Sequence, residues 1–500
     1  MPNFFHIENN VVNNFILTKT KHLNLPNEIL FFAVVLFSSY FFNLIYLLLF
    51  KFVKIGSNKN NSRSVLKQLY VLFVGLFYVI GVLNSLGGFY LMFVSSLAVY
   101  LVSKYNYKNS NKIKNLPWYV LIVLIAFVLF CHIQVDLIEN GEILTGSLMV
   151  LVIKLHEFSW NCHDYANSKS DKLSPFQKDK IVTEFPGLLE FYSYVFFYGT
   201  LLTGPAFEYK IYIKWVKSDN QKQPIKNPAL WKFGKGIFFL VAFLKLSEMF
   251  PVGDLIAKND FSLFKKFFLL YFIGMIFRFK YYGAWSIAES LCNMIQLGYN
   301  STDNNYYLIK NVNVRGFEFA QNVKGALENW NESTNLWLKN YIYIRFVQVN
   351  NNATLASLIT FTASASWHGT HAGYYLTFVT GSSYQTAGKI IRRFIRPHFT
   401  VADSPTFKLI YDFITLIITQ TAFGYLVMPF IVLNIKDSIT IWKSVYFMPH
   451  ISIIILQLIK PFLKKKAIKT APKLKVEIKD DDLKNILKDK FAYENKQKKD

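Results

Sequence analysis

The sequence is poor in charged residues and has very few cysteines. Only 17% of its 500 residues are charged and 52% are hydrophobic, whereas about a quarter of a soluble chain would be charged. This shortage leaves no room for a large water-soluble domain and points to lipid as the main solvent. The three cysteines, Cys131, Cys162 and Cys292, are too widely separated for a disulfide framework or a metal-ligand set. We therefore expect them to pack as small apolar residues, and we predict no metal site.

Acidic residues are also scarce relative to basic ones. There are 31 Asp and Glu residues against 55 Lys and Arg residues, which gives a formal net charge of +24. Such an excess is typical of proteins that bind nucleic acid or an anionic membrane surface. The lysines lie in short connectors between apolar runs, as in the cytoplasmic loops of membrane proteins. No basic face interleaved with aromatic residues occurs, so we expect the lipid bilayer and not nucleic acid as the partner.

The first 28 residues lack an apolar core and are rich in Asn, so we expect no cleavable signal peptide there. An uncharged run at 29–50 is the first one long enough to cross a bilayer. Further apolar runs lie near 67–84, 88–103, 117–136, 143–158, 187–204, 233–250, 261–281, 284–298, 353–367, 374–388, 413–435 and 444–460. We predict an all-α polytopic membrane protein with about ten or eleven spans, plus re-entrant and interfacial helices. Residues 1–28 form a polar N-terminal segment and residues 29–462 the membrane-embedded domain.

The charges of the connectors predict the orientation of the first spans. The connectors at 51–66 and 104–116 are basic, the next one holds Asp136, Glu139 and Glu142, and the following one is basic again. This order fits a helical hairpin between the first two connectors and places the Lys-rich side in the cytoplasm. The connector at 208–235 is also basic, although one apolar run precedes it. We infer that the run at 187–204 enters the membrane and returns without crossing.

The last segment, 463–500, alternates Lys with Asp and Glu and has few apolar residues. Such a composition is typical of a solvated segment, so we predict a charged cytoplasmic tail. Lys498 and Lys496 stand third and fifth from the end of the sequence, which matches a dilysine-type retrieval signal for the endoplasmic reticulum. An ordinary charged end in a Lys-rich protein would look the same.

The best candidate for chemistry follows the apolar run at 353–367. His368 stands at the end of this run, where its polar nitrogens need partners or a function. Small residues surround it, among them Ala365, Gly369 and Gly373, and they let a neighbouring helix or a ligand approach closely. This pattern favours the wall of a binding site. A histidine bonded to a backbone carbonyl at a helix end remains an alternative.

Two motifs in this region resemble the signature of the membrane-bound O-acyltransferase family. Residues 330–338 read Trp-Asn-x-x-Thr-x-x-Trp-Leu, and residues 364–375 read Ser-Ala-x-Trp-His-Gly-x-x-x-Gly-Tyr-Tyr. The lysophospholipid branch of the family is the most similar. The likeness extends over about 150–435 and includes Asp164 after Trp160-Asn161, the stretch 202–209 and the stretch 278–285. It departs at Ala372, where the family usually has Pro, and at Tyr165, where a Gly often follows the aspartate.

The resemblance implies transfer of a fatty acyl group from acyl-CoA, as co-substrate, to the free hydroxyl of a lysophospholipid, with no bound cofactor. It assigns His368 as the general base and Asn331 as a second catalytic residue. An imidazole suits the first role because its unperturbed pKa lies near the operating pH. Asn331 could stabilise the oxyanion, orient His368 or orient the acceptor, and the sequence does not decide among these roles. We also expect substrate contacts from residues of the same motifs: Trp330, Thr334, Trp367 and Tyr374.

The sequence leaves two alternatives to lysophospholipid acylation. Within the family the acceptor could be a sterol, a diacylglycerol or a secreted protein, but Thr334 and the pair Trp337-Leu338 look more like the lysophospholipid branch. A polytopic transporter is a more remote alternative. It would predict repeated halves and ionisable residues near the centres of its spans. The sequence shows no internal repeat, and the runs are nearly free of charge.

Overall fold

The computed structural model describes residues 10–21, 27–52, 60–109, 112–137, 144–167, 173–218, 227–257, 260–400 and 405–470. These residues are helical almost throughout. Besides helices, the described residues contain one pair of two-residue antiparallel strands, β1 (Tyr299–Asn300) and β2 (Asn305–Tyr306). The predicted all-α class is therefore confirmed.

The helices fall into long apolar ones and short ones that connect them. In chain order they are α1 (Val11–Thr20), α2 (Asn27–Phe52), α3 (Asn60–Leu76), α4 (Leu86–Lys108), α5 (Leu116–Leu137), α6 (Thr145–Ala166), α7 (Pro175–Lys180), α8 (Leu188–Val195), α9 (Tyr209–Lys217), α10 (Ala229–Met249), α11 (Gly253–Ala257), α12 (Leu263–Met294), α13 (Val314–Glu318), α14 (Val323–Glu328), α15 (Glu332–Trp337), α16 (Ile344–Asn350), α17 (Ala353–His368), α18 (Ala372–Ile390), α19 (Pro397–Thr400), α20 (Pro405–Val432), α21 (Ile435–Ser444) and α22 (Met448–Thr470). Three π-helical segments, Phe77–Val82, Leu338–Tyr343 and Ile391–Ile395, and a 3-10 turn at Tyr198–Thr200 join some of them.

Six helices in the described residues are long and apolar enough to cross a membrane, or seven if the bent pair α21 and α22 counts as one span. This is fewer than the ten or eleven spans expected from the sequence. The central helices explain the difference. α17 has only 16 residues, and α6 carries Lys154, Glu157 and Asp164, all of them buried in the protein. Helices that are surrounded by other helices need not be apolar on every face.

The run at 187–204 does not form one long helix. It consists of the eight-residue α8, the short 3-10 turn and irregular chain. A helix end inside the membrane leaves backbone carbonyls without partners, and here the buried Lys154 donates to the carbonyls of Tyr194 and Val195. The run therefore contains no helix long enough to cross a membrane, and its entry into the membrane and return stays a prediction.

α1, which lies in the polar N-terminal segment, packs on helices that follow it in the chain. Asn10 Nδ2 donates to the carbonyl of Ile80 at 3.0 Å, and Asn13 Nδ2 donates to the carbonyl of Val82 at 2.9 Å. These bonds tie α1 to the π-helical segment Phe77–Val82 between α3 and α4. Of the predicted charged tail, 463–500, the residues from 471 onward lie outside the described residues.

The centre of the fold is α12, which packs against α10 and α20, while α18 packs against α17 and α20. Several aromatic residues of the segment 311–346 belong to this interior, although Phe319 is 67% exposed. Trp337 and Tyr341 are 0% and 1% exposed, so both side chains are buried within the protein. Polar side chains of the segment, among them Asn311 and Arg345, form hydrogen bonds inside the helical bundle and hold the segment there.

Gly373, at the start of α18, allows a close approach to the end of α20. A Cβ at Gly373 would lie 2.0 Å from the carbonyl oxygen of Pro429 and 2.8 Å from Cα of Leu433. We expect Gly373→Ala to destabilise the protein by about 1–3 kcal/mol, because backbone must move to admit the methyl group. Thermal unfolding of the detergent-solubilised protein measures this. Gly388→Ala is the matched control, since nothing lies within 4 Å of its Cβ position on the same helix. Equal melting temperatures of the two variants would contradict the prediction.

Candidate active site

His368 is the last residue of α17, and aromatic rings surround its imidazole. The ring centroids of Phe378, Phe430 and Tyr374 lie 5.1, 4.9 and 5.5 Å from that of His368. The imidazole itself is half-buried. Next to it, Trp367 donates its indole N–H to the carbonyl of Met149 at 2.8 Å. This bond fixes the end of α17 against the beginning of α6.

A second imidazole lies beside the candidate base. The chain turns at Gly369 with φ +132°, and a Cβ there would lie 3.3 Å from both the His132 ring and the Tyr374 ring. Glycine is favoured at this point because other residues rarely adopt this backbone conformation, and a Cβ would also lie tightly against both rings. His132 is near enough to His368 to interact with it electrostatically. The sequence does not identify His132, because it lies in α5, far from either motif.

Asn331 precedes α15 and has a left-handed backbone, with φ 44° and ψ 56°. Its neighbour Trp330 packs into a cluster of rings on α12, with centroids 5.7 Å from Tyr281 and 5.1 Å from Trp285. On the other side of Asn331, Thr334 is buried in the first turns of α15. The predicted residues Trp330 and Thr334 therefore flank Asn331 and fix its position.

Aromatic contacts connect the residues around Asn331 with the residues around His368. The centroids of Trp337 and Trp367 are 6.1 Å apart, which joins α15 to the end of α17. Tyr281 contacts Trp330 on one side and Phe277 on the other, and the Phe277 ring lies 6.5 Å from that of Phe430, which packs on His368. The structure thus brings all six predicted residues into one region of the protein. His371 is exposed and lies at its edge, with its ring 6.0 Å from that of Tyr374.

Buried polar contacts at the other end of α6 anchor the segment that carries Asn331. The Arg345 guanidinium donates to both carboxylate oxygens of Asp164, one of them at 2.8 Å, and stacks 4.0 Å from the Trp160 ring. Tyr341 donates to Glu208 at 2.8 Å. Because breaking a buried pair is costly, these contacts hold the chain around α16 rigidly against α6. Asp164 is therefore paired with Arg345 and holds neighbouring parts of the fold together.

The ion pair of Glu289 differs from the one expected. From the sequence, Glu289 is either a pocket residue or a buried ion-pair partner of Arg278 or Lys280, and the second interpretation is favoured. In the structure Glu289 pairs with Lys232 of α10, whereas Arg278 pairs with Glu318 at 2.9 and 2.7 Å. The nature of the interaction was predicted correctly, but its partner depends on which helices pack together.

No group of three or more His, Cys, Asp or Glu side chains in the described ranges is arranged to hold a metal ion. The three cysteines are buried and free. The region contains the half-buried His368 imidazole with His132 near it, the Asn331 carboxamide in the same part of the fold, and an aromatic lining. This set suits proton transfer and hydrogen-bond donation to an apolar substrate that carries a hydroxyl.

This fold and site are those of an integral membrane acyltransferase. A model of the membrane-bound O-acyltransferase family matches residues 140–428, more than half of the chain, and the chain belongs to this family. It is 36% identical over 417 residues to "Lysophospholipid acyltransferase" of Schizosaccharomyces pombe, covering 79% of this chain and 81% of that protein.

Two further relatives are also acyltransferases by name. The chain is 36% identical over 429 residues to "Lysophospholipid acyltransferase" of Saccharomyces cerevisiae, covering 78% of this chain and 68% of that protein. It is 31% identical over 396 residues to "Membrane-bound glycerophospholipid O-acyltransferase 1" of Mus musculus, covering 73% and 78% respectively. The region matched by the family model, 140–428, includes both sequence motifs, and the resemblance to the family is confirmed.

Proposed function

We propose that this protein is a lysophospholipid acyltransferase that moves a fatty acyl group from acyl-CoA to the free hydroxyl of a lysophospholipid. The observation that carries the proposal is the half-buried His368 imidazole within an aromatic enclosure in a chain whose relatives act on lysophospholipids by name. The aromatic lining suits an acyl chain, and the imidazole suits a hydroxyl nucleophile.

The reaction requires one base and one stabiliser of negative charge. His368 removes the proton from the acceptor hydroxyl while its oxygen attacks the thioester carbonyl carbon. The resulting oxyanion collapses, the carbon–sulfur bond breaks, and the imidazolium returns the proton to the leaving thiolate. A positioned base of this kind contributes typically ~10²–10⁴-fold. The Asn331 carboxamide is the candidate hydrogen-bond donor to the oxyanion.

Trp330, Thr334, Trp367 and Tyr374 are proposed to contact substrate around these two groups. Tyr374 and Trp367 touch His368 directly, so they are placed to line the acyl chain or the acceptor next to the base. The surrounding rings limit access of water, which would otherwise hydrolyse the thioester. No bound cofactor is needed for this chemistry, because both substrates bring the reacting groups.

The acyl donor must reach deep into the protein. Trp367 is held at Met149, near the start of α6, whereas the Lys-rich connector follows the end of α6 at Ala166. These positions are about 25 Å apart along the helix axis. If the Lys-rich side is cytoplasmic, the donor phosphates bind near the basic connectors and the thioester extends along α6 toward His368. We also propose that the protein resides in the endoplasmic reticulum membrane.

The proposal is tested with microsomes that contain the full chain. Labelled oleoyl-CoA is offered with lysophospholipids that carry choline, ethanolamine, serine or inositol headgroups, and in separate samples with a sterol or a diacylglycerol. Formation of labelled phospholipid supports the proposal and identifies the headgroup. Transfer only to a sterol or diacylglycerol would show another acceptor within the same family. Absence of any transfer, to lipid or to protein, would overturn the proposed activity.

A further inference from the structure

Asn331 stands in the N-cap position of α15 but does not act as a cap. Its side chain makes no capping hydrogen bond. Other Asn residues at helix starts in the described chain do accept from a backbone N–H, such as Asn313 from Gly316, Asn322 from Gly325 and Asn352 from Leu355. Capping is the usual role of Asn in this position. Here the carboxamide is not used for the helix, although the first turn of α15 still needs acceptors for its N–H groups.

Asn311 supplies those acceptors from outside the helix. Its backbone carbonyl accepts the N–H of Glu332 at 2.7 Å. Its side-chain Oδ1 accepts the N–H of Ser333 at 3.2 Å and the Ser333 hydroxyl at 2.6 Å. The two residues that directly follow Asn331 are therefore both bonded to Asn311. This fixes the left-handed turn at Asn331, a conformation that Asn adopts more readily than most residues.

Asn311 is itself held rigidly. It is 1% exposed, and its N–H donates to Glu289 Oε1 at 2.7 Å, with the N–H of Val312 donating to the same oxygen at 3.3 Å. The other oxygen of Glu289 accepts from Lys232. A continuous set of polar contacts thus connects α10 and α12 with the turn at Asn331, so the packing of two long helices determines where that turn lies.

We propose that Asn311 is a positioning residue for Asn331. It caps α15 in place of Asn331 and leaves the Asn331 carboxamide available to the reacting groups. This inference rests on the proposed catalytic role of Asn331. It assigns a function to a buried polar residue that neither sequence motif contains, and it explains why the N-cap residue of α15 has a left-handed backbone.

The test is a comparison of turnover in Asn311→Ala and Asn322→Ala. Each variant removes one Asn side chain that accepts a backbone N–H at the start of a short helix, but only Asn311 contacts the turn at Asn331. We expect kcat of Asn311→Ala to fall by roughly 10²-fold with little change in KM, because a displaced catalytic group affects the chemical step. Asn322→Ala should turn over like the wild type. Ser333→Ala, which removes one of the bonds to Oδ1, should give an intermediate loss.

A double-mutant cycle separates positioning from folding. If Asn311 acts through Asn331, then Asn311→Ala should cause almost no further loss of turnover in an Asn331→Ala background. A merely structural role would lower the amount of folded protein equally in both backgrounds, which thermal unfolding of the same samples would show. Two results would overturn this inference alone. The first is an inactive Asn331→Ala variant together with wild-type turnover of Asn311→Ala and Ser333→Ala. The second is losses of turnover in the cycle that are independent of each other. Wild-type turnover of Asn331→Ala would overturn the role of Asn331 and the inference with it.

Discussion

Replacing His368 by alanine is expected to lower turnover by about 10²–10⁴-fold, because the acceptor hydroxyl then lacks a base. Binding should change far less, since the aromatic rings of Phe378, Phe430 and Tyr374 remain. The measurement is acyl transfer from labelled acyl-CoA to the best lysophospholipid of the panel, with the amount of protein in each microsome sample determined in parallel. A fall in kcat with an almost constant KM is the expected result.

Two other histidines provide controls for this experiment. His371 lies three residues further on and is exposed, so His371→Ala should retain most of the activity. His398 stands five residues before Asp403, and a carboxylate can orient a histidine that acts as a base. His398→Ala should also be active if the base is His368. Equal turnover by His368→Ala and the wild type would rule out His368, and loss of activity in only one of the two controls would identify the base instead.

Replacing Asn331 by aspartate is expected to lower turnover by about 10²–10³-fold, the usual effect of removing one oxyanion donor. Asp has nearly the same shape but lacks the amide N–H. Both Asn and Asp tolerate the left-handed conformation of Asn331, so Asn331→Asp should melt near the wild-type temperature. Asn331→Ala should lose activity as well and should also be less stable, by about 1–2 kcal/mol, because alanine adopts this conformation poorly.

This pair of variants decides among the roles of Asn331. If Asn331→Asp keeps full turnover while Asn331→Ala loses it, the amide N–H is not a donor to the oxyanion. The residue would then act as a hydrogen-bond acceptor that orients the hydroxyl or His368. Activity that falls only in proportion to thermal stability in both variants would contradict a catalytic role altogether.

Much of the site could be predicted from sequence because its motifs are local. Asn331, with Trp330 and Thr334, lies within nine consecutive residues, and His368, with Trp367 and Tyr374, lies within twelve. Hydropathy indicates that both motifs adjoin apolar runs. Residues that act from other helices have no such signal. His132 and Asn311 are single polar residues in stretches that resemble many others, and only packing brings them to the site.

The sequence alone determined that this protein is an all-α membrane protein of the O-acyltransferase family, because apolar run length and contiguous motifs are properties of neighbouring residues. It did not determine how many runs are spanning helices or which charges pair. The tertiary structure decided that Glu289 meets Lys232 and that Trp337 is buried. It also decided that the start of α15 is capped by Asn311. The physical reason is that hydropathy measures transfer of one segment into lipid, whereas buried polar groups are stabilised by partners that only the packing of distant helices supplies.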